Sequence, residues 1–423
     1  MKTIRKSHEA TLGAGFLHEQ PIGTAHYRIV ILCFLAWIFD FYDLVLYSFL
    51  LVPIARELHL QPVESSFALG FSLFSTALGG VFFGFVGDRF GRKPAILATV
   101  LLYGIGTLLC AFAHGIGELL LYRSLTGLGI GGEWAAGQSL VAETVPARHR
   151  ARYAAYVQLG APLGVLGSAL VGGYVAPAIG WRLSFALGAL PALMVAGAVM
   201  RWLPESDVWL AGGRRVRWPG RAELVELAPY RETLIRLFVI LLVCSDAYWF
   251  TYSWMPGYLE LSRGLGPQGS GRLMLWMQLG AIVGYGSFGV IADRCGRRPT
   301  FCVFAGLMAL GLLPPTVLWK WSAPHPLLLE LAMVVAGLGT GLWSGAAPII
   351  SELLPTWVRN TALGVLLNVT RGLQFFTPLI VTALAPRIGF GATLSLGALC
   401  AALGGVLIWT LPETCGRHIG ALD

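Results

Sequence analysis

Apolar residues along the 423-residue chain fall into long runs separated by short polar stretches. A run of about 20 apolar residues is long enough for an α-helix to cross the hydrocarbon layer of a membrane. Twelve such runs, here called spans one to twelve, occur at about residues 27–54, 65–87, 94–113, 117–142, 150–178, 180–202, 233–261, 271–292, 299–320, 327–354, 360–386 and 389–411. Long alternating strands, the signature of a membrane β-barrel, are missing. The pattern predicts an all-α membrane protein with twelve transmembrane helices.

Basic residues indicate how these helices are oriented. If the N-terminus lies inside the cell, the inner segments hold 22 Lys and Arg residues and the outer segments hold 6. Basic loops stay on the cytoplasmic side. We therefore expect a multi-pass protein of the cell (inner) membrane with both termini in the cytoplasm.

The longest polar stretch, residues 204–232, divides the chain into an N-terminal six-helix bundle, residues 1–203, and a C-terminal bundle, residues 233–423. It contains the basic run Arg-Arg-Val-Arg-Trp-Pro at residues 214–219. Two interpretations stay open. The stretch is either a short amphipathic segment on the anionic inner leaflet or a plain cytoplasmic linker.

The two halves repeat one another. Four segments recur in the same order, about 205 to 209 residues later: 87–94 as 292–299, 132–134 as 341–343, 143–150 as 352–359, and 203–206 as 411–414. Repeated halves with a binding site at their interface are typical of secondary transporters.

The loop motif Gly84-x-x-Gly87-Asp88-Arg89-x-Gly91-Arg92-Lys93 and its second copy, residues 289–298, resemble the signature loop of the major facilitator superfamily. The segments 123–129 and 204–206 also match patterns of that superfamily. The resemblance covers essentially the whole chain. It implies two pseudo-symmetric six-helix bundles that rock about a central site.

The charged residues of the two loop motifs suggest a conformational latch at the seam between the halves. Oppositely charged groups there can form charge-assisted hydrogen bonds in one state and release them in another. The candidates are Asp88, Arg89 and Arg92 in the first copy and Asp293, Arg294 and Arg297 in the second. The alternative is that these residues only fix topology.

A narrower resemblance lies in span four. Residues 129–134, Gly-Ile-Gly-Gly-Glu-Trp, resemble the glycine-rich stretch of the sialate:proton symporter group, which includes carriers of sialic acid and of lactate and pyruvate. This resemblance implies a symporter of an organic acid and a proton.

Five ionisable residues fall near the middle of spans: Asp40 and Asp43 in span one, Glu133 in span four, Asp246 in span seven and Arg371 in span eleven. Charges inside a membrane are costly and usually functional. Asp40 and Asp43 share one face of their helix because they are three residues apart. Asp246 lies about one repeat after Asp40, so the two acids occupy corresponding positions in the two halves.

These four acids are the candidates for proton coupling. Burial disfavours the charged form of a carboxylate, and two neighbouring acids resist ionising together. We expect Asp43 or Glu133 to carry the proton, with Asp40 in support. The alternative is that the acids only neutralise buried arginines.

Arg371 is the candidate for substrate binding, because its planar guanidinium can bind a carboxylate with two hydrogen bonds. A substrate carboxylate would then displace a protein carboxylate, which takes up a proton. Arg123, toward the outer end of span four, matches a superfamily arginine for which we expect a structural or proton-related role.

Further side chains are predicted to line the site. Span seven is rich in aromatic and hydroxyl groups, and some of them fall on one helix face. The predicted lining consists of Tyr248, Thr251 and Tyr252, with Asn368, Tyr42 and Gln278. Ordinary helix packing is the alternative.

Composition excludes several other classes. The chain is 56% hydrophobic and 12% charged, whereas soluble domains carry roughly 25% charged residues. The net charge of +8 is explained by topology, so no nucleic-acid partner is expected. The seven cysteines have no metal-binding spacing, and ATP-binding or hydrolase motifs are missing. We expect no enzyme activity, metal or cofactor, with the proton as coupling ion.

The predicted function is proton-coupled import of a small organic anion by alternating access, through a carrier that acts as a monomer in the lipid bilayer. A monocarboxylate such as lactate or pyruvate, a sialic-acid-like compound or an aromatic acid would fit. The alternative is a proton-coupled carrier or exporter of organic cations or zwitterions, which four acids and aromatic faces could bind.

Overall fold

The computed structural model describes residues 17, 20–212, 228–354 and 356–415, and every regular element within these ranges is a helix. The basic run 214–219 and both chain termini, for which we predicted a cytoplasmic location, lie outside the described residues. Nine described segments are long and apolar enough to cross a membrane, and one of them, Arg152–Trp202, contains both span five and span six.

Span four and span nine complete the set of twelve. Span four is a helix of 29 residues that includes Arg123 and Glu133 among its apolar residues. Span nine is a helix of only 16 residues.

The helix boundaries follow the predicted runs closely. Helices of the first half are Thr24–Glu57, Pro62–Phe90, Arg92–Cys110, Ile116–Thr144, Ala147–Gln158, Gly160–Leu170 and Ala176–Trp202, followed by the short Asp207–Gly212. Those of the second half are Arg231–Gly257, Gly266–Cys295, Arg297–Leu312, Trp319–Ser322, Pro326–Gly339, Leu342–Leu353, Thr356–Leu373, Phe376–Ile388 and Phe390–Leu407. Spans five, ten and eleven are therefore each built from more than one helical piece.

Glycine ends the second helix of each half. Gly91 and Gly296 have φ angles of +112° and +98°, which residues with a side chain rarely adopt. A Cβ atom at Gly91 would also collide with the Glu205 carboxylate. These two glycines allow the chain to turn directly from span two into span three, and from span eight into span nine.

Charged side chains tie each turn to its own half. The Arg92 guanidinium contacts Asp88 at 2.6 Å and Glu143 at 2.7 Å. In the second copy, Arg297 contacts Asp293 at 2.6 Å and Glu352 at 3.0 Å. The sequence repeat is thus reproduced as a repeated network. These ion pairs lie within one half each, and the proposed latch between halves stays a prediction.

Arg89 and Arg294, the two other latch candidates, have no ion pair within the described part of the chain. Arg89 lies over the Phe90 ring at 5.8 Å. The Asp88 carbonyl accepts a hydrogen bond from the Trp209 indole at 2.8 Å. No described carboxylate forms a salt bridge with Arg294.

One further glutamate joins the charged network of each loop motif: Glu205 in the first copy and Glu413 in the second, which accept hydrogen bonds from backbone N–H groups. Burial raises the pKa of Glu205, although the N–H groups of Ser206, Arg92 and Lys93 oppose this. At Glu413 burial acts in the same direction, but backbone N–H donors outweigh it and lower the pKa. As pH falls, Glu205 therefore takes up a proton before Glu413 does.

The halves contact each other at the end of the bundle that lies opposite the loop motifs, here called the far side. The hydroxyl groups of Ser66 in span two and Thr382 in span eleven are hydrogen-bonded. The glycines Gly173 and Gly271 of spans five and eight meet backbone to backbone. Topology predicts that the far side is the extracellular side.

An aromatic cluster accompanies these contacts. The Phe375 ring of span eleven packs against Phe71 at 5.4 Å, Phe67 at 6.1 Å and Phe74 at 6.2 Å, all in span two. The Phe375 backbone and ring also fill the space beside Gly70. The two halves are thereby closed against each other on the far side.

Replacing Ser66 and Thr382 by cysteine should allow a disulfide between the halves, because their side-chain oxygens are in contact. We expect oxidation of the pair Ser66→Cys/Thr382→Cys to keep the two halves together on a denaturing gel after proteolysis within residues 213–227. Each single cysteine variant is the control. Halves that separate after oxidation of the pair would contradict this far-side contact.

Candidate functional site

A cavity lies between the two halves, at the middle of the spans. It is lined by apolar, aromatic and a few polar residues of spans one, four, five, seven, eight, ten and eleven: Trp37, Phe41, Trp134, Gln158, Ala161, Ser245, Tyr248, Trp249, Tyr285, Trp343, Ala346, Ala347, Leu367, Thr370 and Arg371. A mostly apolar cavity with a few convergent polar groups is typical of a small-molecule site.

Arg371 is the charged residue among those that line the cavity. Its guanidinium carbon lies 5.7 Å from the centre of the Trp37 ring and 5.9 Å from the centre of the Trp134 ring. The guanidinium interacts electrostatically with Asp40 and Glu133 but forms no ion pair with a carboxylate of the described residues. Its donors are thus available to an anion.

Asp40 and Glu133 form a buried acid pair beside Arg371. Their side chains are 0% and 1% exposed, respectively. The two carboxyl groups interact with each other, yet both Asp40 oxygens lack a hydrogen-bond partner of good geometry among the described residues. Two adjacent buried carboxyl groups are strongly destabilised when both are ionised, so the pair is suited to hold one proton.

Asp43 belongs to a different cluster, although it lies one helix turn from Asp40. Its carboxylate contacts the Arg123 guanidinium at 2.9 Å and accepts a hydrogen bond from Thr107 at 2.6 Å. Arg123, only 1% exposed, also donates to Ser72 at 3.1 Å and lies over the Tyr47 ring at 5.0 Å. The structure therefore places Asp43 and Arg123 in an ion pair inside the first half.

Asp246 lies in a third polar cluster, within the second half. It accepts a hydrogen bond from Thr377 at 2.8 Å and interacts with Gln374. Its position in span seven matches that of Asp40 in span one, but it does not line the cavity. The four acids predicted for proton coupling are thus divided among three clusters.

Of the side chains predicted to accompany Arg371, Tyr248 lines the cavity. Its ring stacks on Tyr252 at 4.1 Å, and the Tyr252 hydroxyl accepts a hydrogen bond from Gln278 at 3.1 Å. Tyr252 and Gln278 therefore pack behind Tyr248 and hold its ring in the cavity wall, without lining the cavity themselves.

The other three predicted lining residues are directed elsewhere. The Thr251 hydroxyl donates to the Ala247 carbonyl at 2.9 Å, and the Asn368 amide donates to the Gly364 carbonyl at 2.9 Å. The Tyr42 ring fills the space beside Gly188 inside the first half.

Several cavity residues were not predicted. Four tryptophans, Trp37, Trp134, Trp249 and Trp343, line the cavity together with Tyr285 and Gln158. A signal was present for two of them, because Trp134 and Trp343 occupy equivalent positions in the sequence repeat and lie in spans four and ten, which are repeat partners. The sequence contains no comparable signal for Tyr285, which is one aromatic residue within an otherwise ordinary transmembrane helix.

The Asp43–Arg123 ion pair should be essential for stability. Asp43→Asn leaves a buried arginine without its counter-charge, at a cost of about 3–5 kcal/mol. We expect a lower melting temperature in detergent, and partial recovery in the double variant Asp43→Asn/Arg123→Gln. Glu118→Gln, an exposed acid in the helix of Arg123, is the control. An unchanged melting temperature for Asp43→Asn would exclude this role.

Comparisons with known proteins agree with this architecture. The sequence profile described as Major Facilitator Superfamily matches residues 32–289, and that described as Sugar (and other) transporter matches residues 269–423. The crystal structure of a D-xylose-proton symporter superposes with a TM-score of 0.76 at 19% identity and covers 93% of this chain and 100% of the symporter chain. The predicted fold is thereby confirmed.

Curated relatives carry transport names. The chain is 29% identical to a probable 4-methylmuconolactone transporter of Cupriavidus pinatubonensis, over 92% of each protein. It is 30% identical to the niacin transporter NiaP of Acinetobacter baylyi, over 70% of this chain and 73% of the relative. With a family profile that matches more than half of its length, this chain belongs to the Major Facilitator Superfamily and is a multi-pass membrane transporter, not an enzyme.

Proposed function

We propose that this transporter imports a small organic acid, specifically a planar aromatic monocarboxylate, together with a proton. The observation that carries the proposal is the Arg371 guanidinium, which lies in the cavity without an ion-pair partner among the described residues. A buried arginine requires a nearby anion, and a carboxylate matches its planar set of donors.

The shape and chemistry of the cavity favour an aromatic acid over lactate, pyruvate or a sugar acid. Half of the other lining side chains are aromatic, and the Trp37 and Trp134 rings lie 5.7 Å and 5.9 Å from the guanidinium carbon. Aromatic rings stack on one another with a favourable energy of about 0.5–1.5 kcal/mol per pair, whereas a polyhydroxylated substrate would leave hydroxyl groups unpaired here.

The relatives support the same substrate class. Niacin is an aromatic monocarboxylic acid, and the relative named for it shares 30% identity with this chain. The organic-cation alternative receives less support, because none of the four intramembrane acids lines the cavity in the described structure, and Arg371 would repel a cation.

Proton coupling follows from the position of the acid pair. Asp40 and Glu133 interact electrostatically with Arg371 when the cavity holds no substrate. A substrate carboxylate bound to Arg371 would neutralise part of that attraction and add a negative charge nearby. Both effects favour proton uptake by the acid pair, so acid and proton would bind together. Of the two proton carriers predicted from the sequence, Asp43 or Glu133, we therefore prefer Glu133, paired with Asp40, because Asp43 forms an ion pair with Arg123.

We further propose that the carrier works as a monomer in the cell (inner) membrane with both termini in the cytoplasm, as the distribution of basic residues indicates. In that orientation the far side closes the cavity toward the outside. The proton would be its coupling ion, with no resident cofactor.

Arg371→Ala should weaken binding of benzoate about tenfold to hundredfold, because a charge-assisted hydrogen bond contributes about 1.5–3 kcal/mol. Isothermal titration of the detergent-purified protein measures this directly. Arg387→Ala is the matched control, because Arg387 is exposed at the far end of the same span. Unchanged benzoate affinity in Arg371→Ala, or binding of organic cations alone, would overturn the proposed substrate class.

Asp40→Asn and Glu133→Gln should each abolish benzoate accumulation driven by an inward proton gradient in proteoliposomes. Exchange of labelled for unlabelled benzoate, which needs no net proton movement, should persist. Glu118→Gln is again the control, since Glu118 is exposed. If both variants still accumulate benzoate above equilibrium, the acid pair is not the coupling site.

A further inference from the structure

Gln158 is a polar residue on the cavity wall whose side chain has a defined orientation. Its Oε1 atom accepts a hydrogen bond from the Trp134 indole N–H at 3.3 Å. This bond directs the amide oxygen toward Trp134 and leaves the amide N–H₂ group without a partner among the described residues. Because Gln158 lines the cavity, this free donor is accessible to a bound molecule.

The helix of span five is interrupted at Gln158. Helix Ala147–Gln158 ends at this residue, and the next helix begins at Gly160. Pro162, four residues after Gln158, has no N–H to donate. Gln158 therefore lies at the end of a helical piece within the span.

A helix break also occurs in span eleven, the repeat partner of span five. Helix Thr356–Leu373 ends two residues after Arg371, and the next helix begins at Phe376. Gln374 and Pro378 have the same spacing as Gln158 and Pro162. Discontinuous helices from both halves of a transporter commonly form the substrate site. Here they bring Arg371 and Gln158 to one cavity.

Trp134 connects the two polar positions. Its ring centre lies 5.9 Å from the Arg371 guanidinium carbon, and its N–H contacts Gln158 at 3.3 Å. A planar ring stacked on this indole, with its carboxylate on Arg371, would extend toward Gln158. A ring stacked on Trp134 can therefore present one substituent to Arg371 and another to Gln158.

We propose that Gln158 is a specificity-determining residue, which selects aromatic acids with a ring hydroxyl group in addition to the carboxylate. This inference rests on the proposed function. A ring hydroxyl accepts a hydrogen bond from the amide N–H of Gln158. A ring without a polar substituent leaves this amide unpaired, and a site built for a hydroxyl discriminates against an analogue that lacks it.

The test compares binding of 4-hydroxybenzoate and benzoate to the full-length protein in detergent by isothermal titration. The wild-type chain should bind 4-hydroxybenzoate about three- to tenfold more tightly, as expected for one neutral hydrogen bond. Gln158→Met, which keeps the size of the side chain, should lose most of this preference, measured as the ratio of the two affinities. An unchanged melting temperature shows that the variant is folded.

A control variant sharpens the result. Gln268→Met, an exposed glutamine near the far side, should behave as the wild type. A preference that survives Gln158→Met, or an equal loss of affinity for both acids, would overturn the inference while the proposed function stands. A wild-type chain that binds neither acid would overturn the proposed function and this inference together.

Discussion

A charge inside the membrane must be compensated, and this chain compensates its charges in two different ways. Asp43 and Arg123 neutralise each other completely within one half, with Thr107 and Ser72 as additional partners. Arg371 has only partial compensation, from the faces of two tryptophans and from an acid pair that does not form an ion pair with it. The first arrangement stabilises a fold, whereas the second leaves attraction available for a ligand.

The internal repeat supplies the frame in which this difference arises. Both halves have the same glycine turns and the same arginine–carboxylate networks, and spans five and eleven each contain a helix break. The chemistry at equivalent positions nevertheless differs. Glu133 corresponds to Leu342 in the sequence, and the acid in span seven belongs to a cluster apart from the cavity. A symmetric scaffold therefore holds an asymmetric candidate site, with Arg371 in one half and the acid pair in the other.

Most of the fold could be predicted from the sequence. A segment that crosses a membrane must form a helix, and the thickness of the membrane sets the length of its apolar run, so each run locates one helix. The site could be predicted only in part. Arg371, Asp40 and Glu133 were found because an intramembrane charge is conspicuous at any position. The separation of Asp43 from Asp40 could not be predicted, since two residues one turn apart share a helix face and only the neighbouring helices decide their partners. Tryptophans and tyrosines give no such signal, because the same residue types pack helices together and line cavities.

The contact between Gly173 and Gly271 has a consequence for how the halves separate. Neither residue has a side chain, so parting the backbones at this point breaks few dispersion contacts. The phenylalanine cluster around Phe375 is the opposite case, since four rings must unpack when span two leaves span eleven. The halves can therefore part at the glycine contact with little loss of packing energy. Most of the packing that opposes opening lies in the ring cluster, one helical turn from Arg371.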